Sequence, residues 1–157
     1  MHALAVTLFN DINSSQSFNY QEIILQMTIF ESKVHINRPA SQVYSFLADM
    51  NNHKQLMPEN IQDWDSTFNT ASFNIDNMAK LSLKVGNRRE DKEVKIIPAE
   101  KPPFDLELKW ELFSVQHDTD VVFTISADLN MMLKMLASGP LQKLTDHQTQ
   151  TLGSILS

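Results

Sequence analysis

Residues 103–112 read PFDLELKWEL, and their alternation decides the architecture. Phe104, Leu106, Leu108, Trp110 and Leu112 take every second position, with Asp105, Glu107, Lys109 and Glu111 between them. A period of two marks a strand with one face in a core and the other in water. The next apolar segment repeats it. Val121, Phe123, Ile125, Ala127 and Leu129 alternate with Thr124, Ser126 and Asp128, beyond a turn expected over Gln116–Asp120. Strands joined by short turns pair antiparallel. The period then changes. From Met131 to the C-terminus, Leu133, Ala137, Leu141, Leu144, Leu152 and Ile155 fall on one broad helical face. Gly139-Pro140 lies inside this segment, and a kink is expected there.

Upstream, the same reading gives five further strands and two short helices. Thr28–Ile36 alternates, with Phe30, Val34 and Ile36 opposite Glu31, Lys33 and His35, and Ser32 interrupts the apolar face. Pro39 suits the first turn of a helix. Val43, Phe46, Leu47 and Met50 then form an amphipathic stripe, which Asn51-Asn52 breaks. A second short helix is expected over His53–Met57. Strands follow at Ile61–Thr67, Thr70–Ile75, Ala79–Val85 and Glu93–Pro98, with Gly86 marking a bulge or bend. The order is strand, two helices, six strands, long helix. This is an α+β fold: a curved antiparallel sheet of about seven strands, with one apolar face that only the terminal helix is long enough to cover.

The 157 residues amount to one domain, able to bury a core without a metal or disulfide staple. There are no cysteines, which excludes thiolate chemistry and cysteine-ligated metals. Nineteen acidic against thirteen basic residues give a net charge of −6, and nucleic acid is not expected as a partner. The longest apolar-leaning stretch near the start, Ala3–Phe9, is too short to span a membrane, and the first Lys and Arg are Lys33 and Arg38. A cytoplasmic location is expected. Residues 1–26 are polar and aperiodic over Asn10–Asn19 and read as a mobile appendage. They are either a functional arm or an extended reading frame ahead of Met27. Residues 27–157 form the domain.

Three segments carry a resemblance: FESKVHINRPASQVYSFLADMNNHKQLMP (30–58), PFDLELKWEL (103–112) and ADLNMMLKMLASGPLQKL (127–144). In order and length they resemble the START / polyketide-cyclase (SRPBCC) superfamily, whose fold is shared with the major birch-pollen allergen. The resemblance implies a helix-grip fold, with a curved seven-stranded sheet wrapped around the C-terminal helix and a hydrophobic cavity between them. It also implies binding or carriage of a small hydrophobic or amphipathic ligand, such as a lipid, isoprenoid or polyketide-like molecule. Other members are cyclases or dehydrases on aromatic polyketide-like substrates, or chaperone activators acting through protein contacts. The fold does not choose among these.

Few residues offer chemistry. The five histidines, His2, His35, His53, His117 and His147, show no metal-ligand spacing and are expected in solvated roles. Asp63 and Asp65 flank Trp64; on a regular strand they would share a face and could act as an acid/base pair, or simply be solvated. Arg88-Arg89 sits near a turn, as an anion site or a solvated hairpin end. No glycine-rich phosphate loop or serine nucleophile elbow exists. No catalytic residue, metal or cofactor is therefore expected. On pattern alone the apolar rows form core. With the void the resemblance implies, the lining falls to Phe73, Leu83, Val85, Leu106, Leu108, Trp110, Phe123, Ile125, Leu133, Ala137, Leu141 and Gln148. Met131, Met132 and Met135 add adaptable thioethers. Gln148 and Thr151 either line the cavity and orient a ligand or lie where the helix emerges into water. The expected partner is a small hydrophobic ligand; the oligomeric state stays open.

Overall fold

The computed structural model describes residues 27–76 and 79–157; the N-terminal appendage expected over 1–26 lies outside the described residues. The elements are β1 (Met27–Ile36), α1 (Ala40–Leu47), a 3₁₀ helix (Met50–Leu56), β2 (Ile61–Ser66), β3 (Thr70–Ile75), β4 (Ala79–Arg89), β5 (Glu93–Pro98), β6 (Leu106–Val115), β7 (Asp118–Asp128) and α2 (Met131–Ile155). The seven strands form one sheet in the order β1-β7-β6-β5-β4-β3-β2. Every pairing is antiparallel. This is the expected α+β helix-grip architecture.

Boundaries differ where local chemistry competes with periodicity. The second short helix starts three residues before His53 and is 3₁₀ rather than α, with the Asp49 side chain accepting from Asn51 N. The strand expected from Phe104 begins at Leu106 and runs on to Val115. The turn expected over Gln116–Asp120 shrinks to Gln116-His117, with Gln116 at φ 58°. Asp118 and Asp120 instead continue β7 and reach His35 on β1, at 3.0 and 2.6 Å. The bulge expected at Gly86 is present, the β4–β5 register slipping between Val85 and Asn87. A Cβ at Gly86 would lie 3.2 Å from the Ile97 side chain.

The inward rows of the sheet form the core. Phe30, Phe73, Leu83, Val94, Ile96, Leu108, Trp110, Val121, Phe123 and Ile125 are all buried in one cluster with Val43 and Leu47 of α1 and Leu152 of α2. The outer face carries charge, with Lys95–Glu107 at 3.7 Å and Lys109–Glu111 at 3.6 Å. Helix α2 lies mainly along the edge strand β1 and touches β7 and the 3₁₀ helix. Asn130 caps it, its side chain accepting from Leu133 N at 2.9 Å. Gly153 permits the close approach to β1: a Cβ there would sit 3.0 Å from Val34 Cγ2. Ile155, expected on the buried face, is 38% exposed in the last turn of the helix.

Candidate functional site between sheet and C-terminal helix

The residues expected to line a cavity fall into three groups. Phe73, Leu83, Leu108, Trp110, Phe123 and Ile125 are buried in the core cluster. Trp110 and Phe123 face each other across β6 and β7 and stack with ring centroids 3.9 Å apart. Val85, Leu106, Leu133, Ala137 and Leu141 belong to inward rows yet keep partial exposure. Leu81 shares that behaviour. Gln148 forms the third group: it is 1% exposed, and its Oε1 has no hydrogen-bond partner. Emergence into water is thereby settled against for Gln148; Thr151 is half-buried.

An open groove of ≈ 990 Å³ lies where the start of β1, the Lys101-Pro102-Pro103 connector, the end of β7 and the start of α2 converge. Met27, Phe104, Leu129 and Leu133 supply apolar surface, and Lys101, Lys134, Asp105 and Asp128 set two positive against two negative charges. Thr28, also in the wall, has an unpartnered buried Oγ1. Beside the groove, α2 presents Met131, Met132, Met135 and Leu136 at 68–82% exposure. Such side chains suit an adaptable apolar contact.

The titratable groups divide by depth. His35 is exposed and gripped by Asp120 and Asp118, and hydrogen bonds to those carboxylates raise its pKa. His53 corrects the expectation of solvated histidines. It is 1% exposed, packs edge-on to Trp110 with centroids 6.3 Å apart, and its Nε2–H donates to Leu47 O at 2.7 Å. Burial holds its pKa below the ordinary value, so the ring is neutral at pH 7. The period-three spacing of Met50, His53 and Leu56, all buried, is the signal that would have found it, since side chains eclipse every third residue in a 3₁₀ helix. Thr145 and Thr149 were also missed. They complete the stripe Leu141, Thr145, Gln148, Thr149 and Leu152, and each hydroxyl satisfies itself by donating to a preceding carbonyl.

The other candidates resolve as structural parts. Asp63, at φ 56°, sits in a bulge where the β2–β3 register slips between Gln62 and Asp65, so the two carboxylates are not regular strand neighbours. Asp63 accepts instead from Asn74 Nδ2 at 2.7 Å, and Trp64 stacks on Phe73 at 5.2 Å. Arg88 turns inward, donating to Ala48 O, Phe68 O and Asn69 Oδ1. Arg89 pairs with Glu93 at 3.3 Å. Among the described residues no cluster of His, Asp and Glu could hold a metal, and no helix is long and apolar enough to cross a membrane.

No protein-family model and no curated protein sequence matches the chain. Solved structures do match it in fold. A START superfamily protein from Mycobacterium smegmatis superposes with a TM-score of 0.61 at 14% identity, covering 82% of this chain and 96% of that one. The Aha1 dimer from Colwellia psychrerythraea gives 0.59 at 19%, covering 83% and 96%. The di-domain ARO/CYC StfQ of the steffimycin biosynthetic pathway gives 0.69 at 7%, covering 91% of this chain and 55% of that one. The fold is thus the START / polyketide-cyclase fold.

Proposed function

We propose that the protein binds or carries a small hydrophobic or amphipathic molecule, lipid, isoprenoid or polyketide-like, between the sheet and α2, in the cytoplasm. One observation carries this reading. Leu81 and Val85 of β4, Leu106 of β6 and Leu133, Ala137 and Leu141 of α2 pack against the core yet stay partly exposed, and Leu133 also lines the open groove. An inward apolar row that keeps solvent access is a surface for a guest to cover, at about 25 cal/mol per Å² removed from water. In this reading Val85, Leu106, Leu133, Ala137 and Leu141 line the path, and Phe73, Leu83, Leu108, Trp110, Phe123 and Ile125 form its floor. Gln148 is its polar end. The fold of the two START-like and cyclase-like neighbours accords with this. The test is native mass spectrometry of the protein from its own host, together with ANS titration of Trp64→Phe, which leaves Trp110 as the only tryptophan. A co-purifying mass and a change in Trp110 emission are expected, both weakened in Leu133→Glu. Absence of both overturns the reading.

A second reading, a protein-interaction domain of the chaperone-activator kind, is favoured by the exposed Met131, Met132, Met135 and Leu136. Replacing all four with Gln separates the two. Loss of a co-purifying protein with no small molecule in either form favours interaction; retention of a small molecule favours carriage.

A further inference from the structure

The first two turns of α2 are apolar on every side. Of residues 131–137 only Lys134 is polar. Leu133 and Ala137 pack against the core, while Met131, Met132, Met135 and Leu136 stand 68–82% exposed. These four form two adjacent i,i+4 pairs, and so make one ridge on the side of the helix away from the core. A helix that is apolar all round is normally covered all round, and a monomer rarely leaves large apolar side chains exposed side by side.

Charge and area say what covers the ridge. Lys134 on α2, Lys101 and Asp105 between β5 and β6, and Asp128 at the end of β7 line the adjoining groove. Among the described residues none of the four makes an ion pair within the chain. Two cations and two carboxylates on one patch are complementary to the same patch turned about a two-fold axis. They offer no net positive charge to an anionic lipid surface. An aromatic side chain buries roughly 150–250 Å², with methionine and leucine toward the lower end, so the ridge supplies the larger part of the about 800 Å² per protomer that a stable interface takes. Pro103 and Phe104 in the groove wall extend it. The net charge of −6 on each copy opposes association at long range, which leaves the affinity to the ridge and the register to the four local charges.

We infer that the exposed ridge of α2 is the interface of a two-fold dimer of this chain. Met131, Met132, Met135 and Leu136 of each copy pack on those of the other, and the lysines of each groove face the carboxylates of the other. The inference rests on the surface that the interaction reading uses and names a second copy as its occupant; it needs no small molecule.

The experiment is sedimentation equilibrium of the purified full chain from about 1 to 500 μM, which brackets a micromolar Kd. A reversible dimer is expected. Met135→Gln with Leu136→Gln, at positions that bury little in the single chain, should weaken it at least about tenfold. Two charge-reversed chains test the register: Lys101→Glu with Lys134→Glu, and Asp105→Lys with Asp128→Lys. Each alone should stay monomeric, because like charges then face one another, and an equimolar mixture should pair again. Far-UV circular dichroism checks that each variant is folded. A parent chain that stays monomeric, a dimer indifferent to the Gln pair, or folded charge-reversed chains that do not recombine overturns the inference. For a monomeric parent, flotation with phosphatidylcholine vesicles assigns the ridge to a lipid surface, and a rise in ANS binding on deleting residues 1–24 assigns it to that segment. A co-purifying protein lost with the four Gln substitutions then leaves the interaction reading standing without the dimer.

Discussion

At the scale of single residues, the decisive side chains are those whose polar atoms are used inside the fold. Arg88 is the clearest. Its Nε and Nη2 donate to Ala48 O at 3.0 and 2.7 Å, Nη2 also to Phe68 O at 2.9 Å, and Nη1 to Asn69 Oδ1 at 2.7 Å. The guanidinium lies 4.2 Å from the centre of the Phe68 ring. It therefore ties the end of α1 and the β2–β3 turn to β4. Arg88→Ala should cost about 2–3 kcal/mol in denaturant unfolding, and Arg88→Lys should recover little of it, because one ammonium cannot reproduce the planar fork. A loss near zero, or full recovery by lysine, would refute the clamp. His35 and His53 make opposite contributions to the pH dependence. His35 has a raised pKa, so its stabilisation is complete below the unfolded value of about 6.5 and is lost as pH rises through the folded value. His53 has a lowered one, so the folded state resists a proton the unfolded chain accepts; that stability is present above about 6.5 and lost as pH falls through the folded value. Relative to the parent chain, His53→Gln should therefore lose less stability between pH 7 and 5, and His35→Gln more. Urea midpoints at the two pH values decide it, and identical slopes would contradict both assignments.

At the scale of elements, α2 is held by contacts that differ along its length. Its C-terminal half is seated on β1 by the Gly153–Val34 approach and by a relay of hydroxyls. Thr149 donates to Asp146 O, so the proton in its 2.6 Å contact with Ser32 comes from Ser32. Ser32→Ala and Thr149→Val should each cost about 1–2 kcal/mol, and the double variant less than their sum. Strict additivity would show that the pair does not hold the helix. Its N-terminal half has Asn130 as cap and carries the exposed methionines. This asymmetry lets one end of the helix anchor the fold while the other borders the groove. The period-two and period-3.6 patterns located both α2 and its strands, because side-chain direction follows backbone geometry at these spacings. They did not register Ser32 and Thr149 as partners, since each reads alone as an interruption of an apolar row.

At the scale of the whole molecule, the described residues make one continuous core from β1 to α2. The domain boundary read at Met27 is tested by deleting residues 1–24, which should leave the thermal midpoint unchanged. A fall of more than about 5 °C, on the order of 1–2 kcal/mol for a chain of this size, would make that segment part of the fold. Periodicity in PFDLELKWEL and its neighbours was enough to determine strand number, antiparallel pairing and the covering helix, because each strand must turn its apolar row toward one shared core. It also brought Trp110, Phe123 and Gln148 onto inward faces. What the order of residues could not express was which inward positions are packed solid and which stay partly open, because that depends on where α2 rests on the sheet. Nor could it show that His53 is buried and neutral, that Asp63 and Asp65 are parted by a bulge, or that Arg88 is spent on carbonyls from distant segments. Those outcomes depend on burial and on hydrogen-bond partners tens of residues apart, which exist only once the sheet has closed over the helix.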